Sequence, residues 1–430
     1  METSVLYSIF LQCSSVTTDS RNCPAGSLFI ALKGDSFNGN AFAAQALATG
    51  SAYAVIDEPE FAPANDPRYL VVDNCLHALQ QLANYHRKQL QTQVIGITGT
   101  NGKTTTKELI AAVLSTTYNV HYTKGNLNNH IGVPLTLLQL KPEHEIAVIE
   151  MGANHPGEIE ALVHIAEPDY GIITNVGKAH LEGFGSFEGV IKTKGELYDY
   201  IRQTKGKIFI KKENEYLQPI AKGIEQISYG TDESSFASGK VASCSPFLIF
   251  DWKQQGKIHT VETHLIGSYN LDNVLVAVAI GRYFKIPAER ISRAIASYEP
   301  NNNRSQFKET EHNKLIIDAY NANPSSMKAA IDNFAAMQVD TPKAVILGDM
   351  RELGETSDAL HAEIVKQIEQ AGFDKVYLCG EHFSSTGTSF MHFPNIEELM
   401  SELTQKPLVG YHILIKGSRG MTLEKTLSLL

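Results

Sequence analysis

Short apolar runs rich in β-branched residues alternate along this chain with amphipathic stretches of helical period. In the first part, SLFIAL and AYAVID flank an Ala-rich stretch at residues 40–49, and YLVVD follows, which predicts a small α/β unit. A helix predicted over residues 75–91 leads without a long flexible linker into VIGITG. From there strand, Gly- or Asn-rich turn, helix and strand repeat, with strands expected at residues 94–98, 146–150, 170–174 and 207–210. Such alternation implies a mostly parallel sheet covered by helices, with ligands at the carboxyl ends of its strands. Residues 227–265, rich in Ser, Gly and short β-type runs, read as antiparallel strands appended to that sheet. After an Asn-rich break at residues 300–303 a third alternation begins: LIIDAY, a helix from Pro324, then AVILGDM, KVYLCG and HILIKGS. The expected fold class is α/β in three domains. These are a small α/β N-terminal domain (1–90), a central phosphate-loop domain with a mostly parallel sheet flanked by helices (91–303), and a C-terminal Rossmann-like α/β domain (304–430). A hinge is expected near Asn303.

Size agrees with this division, since 430 residues exceed what one hydrophobic core normally organises. With 43% apolar and 20% charged residues the chain has the profile of a globular protein with large cores. A net charge of -10 argues against broad contact with nucleic acid or an anionic membrane, while leaving room for a local basic pocket. Cys13, Cys23, Cys75, Cys244 and Cys379 are scattered and form no C-x-x-C pair, so they read as reduced thiols of a cytoplasmic protein. No signal peptide or spanning segment is apparent, and membrane insertion is not expected.

The sharpest chemical signal is Gly99-Thr100-Asn101-Gly102-Lys103-Thr104-Thr105, directly after a predicted strand and before a helical run. Consecutive backbone N–H groups at such a turn, with the positive end of the helix, form a phosphate cradle. Lys103 would reach the terminal phosphates and the Thr104 hydroxyl would hold Mg2+. The strict G-x-x-x-x-G-K-[ST] pattern fails narrowly because Ile97 stands where its first Gly belongs. The plainer reading is a tight turn with a helix cap. Glu150 closes the strand in IAVIEMGANHPGEI and His180 follows the strand in TNVGKAH, so both are expected in the crevice beyond the sheet edge, where they can hold Mg2+. Each alone would be a strand end or a helix cap. Lys192 and Lys194, where a helix could begin after EGFGSFEG, read by themselves as a solvated helix face, and Asn270 and Asn273 as a helix cap.

Taken in order, GTNGKTTTKEL, IEMGANHPGEI, TNVGKAHLEGFGSFEGVIKTKGELY, GSYNLDNVLVAVAI, Arg304 and IIDAYNANPSSM resemble the Mur ligase family, which also includes folylpolyglutamate synthases. The resemblance covers nearly the whole chain. It implies an ATP-dependent, Mg2+-requiring ligase that activates a carboxylate as an acyl phosphate and joins it to an amine. VTTDSRNCPAGSLFIALKGDSFNGNAF, DAYNANPSSM, LGDMRELG and LIKGSRGM resemble the branch whose substrates are UDP-N-acetylmuramoyl-tripeptide and D-alanyl-D-alanine, in peptidoglycan precursor synthesis.

What the resemblance implies for single residues is specific. Lys103, His180 and Lys194 become catalytic candidates, and Thr104, Glu150, His180 and Lys194 the metal set. Lys194 matches the family's carbamylated lysine, with Lys192 its rival. Asn273, Arg304 and Asp318 match nucleotide contacts. The turn Thr18-Asp19-Ser20-Arg21 and the loop at Lys33-Gly34 are similar to the part that binds the UDP sugar. Asn38-Gly39-Asn40 departs from the Asp-Gly-His expected there. Asn126, Asn128 and Asn129 would lie near the muramoyl substrate. Tyr320, Asn321, Asn323, Lys416, Ser418 and Arg419 would present the dipeptide, Arg419 gripping its carboxylate, or serve as turn formers. The active unit is expected to be a monomer. Other readings left open are a sister ligase adding one amino acid, a folylpolyglutamate synthase, a phosphate-loop kinase and a nucleotide-binding switch.

Overall fold

In the computed structural model residues 1–301 and 303–430 are described; Asn302, inside the Asn-rich break, lies outside the described residues. The strands fall into three main sheets, one per stretch of chain. Val16–Thr17, Leu28–Ile30, Tyr53–Ile56 and Tyr69–Val71 pair in parallel in that spatial order. The largest sheet runs, edge to edge, Lys257–Ile266, Phe247–Gln254, Ala237–Cys244, Glu225–Gly230, Lys207–Lys211, Tyr170–Ile173, Gln93–Thr98, Ile146–Glu150 and Val120–Tyr122. All pairings are parallel except the two that join the last three strands in the chain, which are antiparallel. The third sheet runs Gln306–Glu309, Lys314–Asp318, His412–Lys416, Lys343–Gly348, Lys375–Cys379 and Met391–Phe393, parallel but for its first pair. This is an α/β protein.

The central strands read as unbroken apolar runs because both their faces are covered: every residue of Ile146–Glu150 is buried. Burial in Lys257–Ile266 instead alternates over most of its length, as in an antiparallel strand with one wet face. One face of the central sheet is covered by helices Lys103–Leu114 and Asn270–Tyr283, which pack on each other. The other belongs to a core that continues into the first sheet and the N-terminal helix Thr3–Phe10. Helix Cys75–Lys88 lies at that seam against helices Gly132–Leu137 and Glu158–Ala166. The N-terminal and central parts therefore share apolar packing, whereas the third sheet has a separate core on each of its faces.

The chain leaves Gln93–Thr98 for the Val120–Tyr122 edge, returns through Ile146–Glu150, and crosses to Tyr170–Ile173 on the other side. This reversal makes a topological switch point, and a crevice opens at the carboxyl ends of those strands.

Several elements carry no sequence signal of their own. Val120–Tyr122, Gln306–Glu309, Met391–Phe393 and the hairpin Lys33–Gly34 with Phe37–Asn38 are too short to show a period. The helix expected to begin near Lys192 begins earlier, at Phe187, because the Ser186 hydroxyl caps it by accepting from the Gly189 N–H at 3.1 Å. Among the described residues no helix is long and apolar enough to cross a membrane.

Trp252, the one tryptophan of the chain, is fully buried in the antiparallel extension, stacked on His259 and donating to Ser292 Oγ at 3.1 Å. Its fluorescence is expected to lie well to the blue in native protein and to shift red on unfolding in urea. A native spectrum matching that of the denatured chain would put the indole in water and contradict this packing.

Candidate functional site

The turn after Gln93–Thr98 is held from the neighbouring strand end. Thr100 N–H donates to the Asn175 carbonyl and Asn101 N–H to Asn175 Oδ1, both at 2.9 Å. In return the Thr174 hydroxyl and the Asn175 amide donate to the Asn101 carbonyl at 2.6 and 3.0 Å. Gly99 (φ +141°) and Gly102 (φ +78°) take conformations that disfavour side chains, and a Cβ would stand 2.1 Å from Thr174 Oγ1 at the first and 2.7 Å from Asn273 Oδ1 at the second. The amides of Thr100 and Asn101 are taken by Asn175, so the backbone donors left without a partner in this turn are those of the first turn of helix Lys103–Leu114. Lys103 Nζ folds back over the loop, donating to the carbonyls of Gly99 and Thr100 at 2.7 and 3.1 Å. Desolvation pulls its ammonium down to about 8, opposed by Glu150 and reinforced by Arg304.

Glu150 is buried. Its Oε1 accepts from Thr104 Oγ1 at 3.2 Å and from Asn128 Nδ2 at 2.8 Å, and its backbone N–H donates to Thr123 Oγ1 at 3.0 Å. The second oxygen, Oε2, has no hydrogen bond and faces Lys107 Nζ at 3.6 Å. His180, well past the end of its strand, is left-handed (φ 50°) and turns Nδ1 onto Glu352 of the third sheet's side. Burial lowers the pKa of its imidazole, against the pull of Glu352. Lys194 is buried on its helix, with Nζ donating to the Ala153 carbonyl at 3.1 Å and lying 4.9 Å from the Phe184 ring, while Lys192 is exposed. Burial, then repulsion from Lys103, pulls Lys194 down to about 7.

Thr100, Asn101, Gly102, Lys103, Thr105, Asn126, Asn128, Asn129, Glu150, His180, Asn273, Arg304, Asp318, Tyr320, Asn321, Asn323 and Lys416 all line one cavity of about 600 Å³ between the central and third sheets. That is room for a nucleotide-sized ligand. Asn270 and Asn273 do not cap their helix as expected. Asn270 Nδ2 donates to the Ile266 carbonyl, Asn273 Nδ2 donates to Asn270 Oδ1, and Asn273 Oδ1 accepts from Thr106 at 3.0 Å, which sets the wall under Gly102. Asn129 Oδ1 accepts from the N–H groups of Ile131 and Gly132, starting the next helix.

Across the cavity Arg304 lies 3.8 Å over the Tyr320 ring and Arg419 5.5 Å from it. Asn323 caps helix Pro324–Ala336 and also donates to Asn101 Oδ1 at 2.8 Å, tying the two sides together. Asn321 Oδ1 accepts from Ala322 N–H. The buried Lys416 ammonium is engaged by Asp318 Oδ2 at 2.5 Å and the Asn321 carbonyl, and the Ser418 hydroxyl accepts from Arg351 N–H. These two side chains brace the wall. Asp19, Ser20, Arg21 and Lys33 lie apart from this cavity. Arg21 pairs in a fork with Asp19, and Lys33 with Asp57 and Glu58 at 3.0 and 2.7 Å. The divergent turn is satisfied internally, Asn38 donating to Glu58 and Asn40 to Asp57.

The donors present fit a hard divalent cation. Glu150 offers a buried oxygen with no hydrogen bond, and Thr104 a hydroxyl beside it. No group of three or more His, Cys, Asp or Glu that could cage a metal occurs among the described residues. Few protein ligands, completed by phosphate oxygens and water, is the pattern of Mg2+.

Models of the Mur ligase middle domain, the Mur ligase glutamate ligase domain and the Mur ligase family catalytic domain match residues 97–281, 303–419 and 12–87. The UDP-N-acetylmuramoyl-tripeptide–D-alanyl-D-alanine ligase of Bacillus subtilis (strain 168) is 37% identical over 423 residues, spanning 95% of this chain and 91% of that protein. This chain belongs to the Mur ligase family. The enzyme of the same name from Escherichia coli (strain K12) is 36% identical, over 96% of this chain and 92% of its own. A crystal structure of MurF from Acinetobacter baumannii superposes with a TM-score of 0.88 at 29% identity, covering 99% of this chain and 97% of its own. The MurF ligase from Thermotoga maritima in complex with ADP gives 0.86 at 26%, over 98% and 97%.

Lys107, Thr174, Asn175 and Glu352 were not anticipated. Lys107 stands one helical turn after Lys103, a spacing that marks it as sharing the same face. Thr174 and Asn175 follow the strand beside the loop, so strand order would have found them. Nothing local to Glu352 announces His180.

Gly102→Ala should cost about 1–2 kcal/mol of backbone strain and displace Asn273, weakening ADP binding at least about tenfold by calorimetry. Wild-type affinity would show that this turn does not face the nucleotide.

Proposed function

We propose that this Mur ligase family member joins D-alanyl-D-alanine to UDP-N-acetylmuramoyl-tripeptide at the expense of ATP, acting as a monomer in the cytoplasm. The observation that carries this reading is the single cavity in which Lys103 and Glu150 of the central part face Arg304, Tyr320 and Asn323. The names of the relatives, whose identity extends over the same length, supply the substrates.

A carboxylate is a poor electrophile. An oxygen of the tripeptide carboxylate attacks the γ-phosphorus of ATP, the bond to ADP breaks, and an acyl phosphate forms. The dipeptide amine then attacks the acyl carbon, and the tetrahedral adduct expels phosphate and loses a proton. Both steps crowd negative charge, which Lys103 and the first-turn amides of its helix stabilise electrostatically. Glu150, Thr104, His180 and, once carbamylated, Lys194 would hold Mg2+, which when bound neutralises phosphate charge. Asn273, Arg304 and Asp318 contact the nucleotide. Residues 18–21 and the Lys33–Gly34 loop hold the UDP sugar, Asn126, Asn128 and Asn129 the muramoyl part, and Tyr320, Asn321 and Arg419 the dipeptide. Movement about residues 300–303 brings the substrates together.

Phosphate release from purified UDP-N-acetylmuramoyl-tripeptide and ATP should depend on D-alanyl-D-alanine and not on single amino acids. Release supported by one amino acid would mark a sister ligase, and phosphorylation without an amide product a kinase.

We read Lys194 as the site of carbamylation, in which the neutral amine adds to CO2, forming an N–C bond and releasing one proton. With its pKa drawn to about 7, that amine persists at neutral pH and is lost below it. Labelled CO2 should therefore be taken up at pH 8 and fall away below pH 7, and Lys194→Ala should be inactive but partly rescued by small carboxylates. Full activity of Lys194→Ala without rescue would remove it from the metal set.

A further inference from the structure

Lys107 takes part in none of the steps above, yet its environment is unusual. It stands on helix Lys103–Leu114 with Lys103 and Thr104, and its side chain is wholly buried. Its ammonium has no hydrogen-bond partner. Around it are Glu150 Oε2 at 3.6 Å, Glu108 Oε1 at 3.7 Å and the Tyr122 ring at 5.9 Å. Glu150 Oε2 is the matching orphan, buried and without a hydrogen bond. The carboxylate is thus held on one oxygen by neutral donors, Thr104 and Asn128, and on the other by charge alone.

A structural ion pair would be expected to close to hydrogen-bond distance, because burying two charges is repaid only when geometry is good and their remaining atoms are satisfied. This pair stays apart. Glu108 supports the far side: its Oε2 accepts from the Tyr298 hydroxyl at 2.5 Å, on the segment leading to residues 300–303. The lysine is therefore flanked by Glu150 and Glu108 and cannot follow Glu150 outward without leaving Glu108.

The electrostatic consequence concerns the cation. At these separations inside a protein, charges interact strongly. A free divalent ion approaching Glu150 meets a carboxylate already compensated by Lys107, with the Lys103 ammonium close enough to feel Glu150 as well. An ion arriving on a polyphosphate brings several negative charges with it, and the cluster then favours entry. We propose that Lys107 is a positioning residue that acts through Glu150 as its internal countercharge, so that the site takes its divalent cation together with the nucleotide and not before it. This rests on the reading of Glu150 as a metal ligand.

The test is Mn2+ binding followed by electron paramagnetic resonance, on the full chain, with and without ADP. Wild-type protein is expected to bind Mn2+ far more tightly with ADP present. In Lys107→Met the binding without ADP should tighten at least about tenfold, and the gain conferred by ADP should shrink by a similar factor. Lys107→Arg, which keeps the charge, should behave as wild type. Lys107→Gln deletes the charge while keeping a donor for Oε2; it carries the test if thermal melting shows that Lys107→Met is unfolded. Unchanged or weaker ADP-free binding in a folded charge-deletion variant overturns the proposal. Wild-type protein that binds no Mn2+ even with ADP would instead overturn the metal reading of Glu150. A merely structural lysine would alter melting without altering the ratio between the two Mn2+ affinities.

Discussion

Glu150 takes its place from three separate elements. The loop helix supplies Thr104 and Lys107, the segment after Val120–Tyr122 supplies Thr123 and Asn128, and its own strand ends at the switch point of the sheet. A carboxylate removed from water costs several kcal/mol unless its oxygens are met by donors or charge. One oxygen here has two donors and the other only a cation at a distance. The second oxygen is thus balanced by the charge of Lys107 and not by a hydrogen-bond donor.

Two other lysines add to this positive charge. Lys103 and Lys194 are both pulled down by desolvation, to about 8 and about 7, and each is further affected by the charges around the cavity. Cations that are poorly solvated and crowded together are stabilised when a polyanion enters, so the protein bears an electrostatic strain that its ligand relieves. The same logic explains why the loop amides of Thr100 and Asn101 are spent on Asn175. Rigid backbone at the turn matters more than extra donors when the helix terminus and Lys103 already provide the positive field.

Much of this was legible from the amino acids. The runs at residues 94–98 and 146–150 are fully or nearly fully buried parallel strands, and their continuous apolar character announced them. Gly99, Gly102, Lys103 and Glu150 stand at strand ends beside one another, which local pattern plus strand order could anticipate. Lys194 was legible only through the resemblance, because its spacing also suits a solvated face. Burial, which separates it from the exposed Lys192, is a property of the neighbouring helix and strands and leaves no mark in the local sequence. Asn273 and Lys416 line the cavity and also have structural partners that the sequence did not announce. Asn273 supports Gly102 from beneath, and Lys416 secures Asp318. In both cases the partner lies far along the chain, beyond what periodicity reads.

The contacts between the third sheet's side and the rest differ in kind from those between the first two sheets. The first two share a continuous apolar core through helix Cys75–Lys88, so separating them would expose that surface to water at a large cost. The third part meets the central one through polar pairs: Asn323 with Asn101, Glu352 with His180, and Tyr269 with Ser305. Among the described residues, Ile266, Phe247 and Leu181 of the central part pack against the third part's core. Polar pairs exchange for water at little net cost. Parting the third part from the central one would therefore cost less than parting the first two. His180 receives Glu352 and Asn101 receives Asn323 from the third part, so the polar seam runs through side chains that also line the cavity, and a ligand filling that cavity would touch both sides of the seam at once.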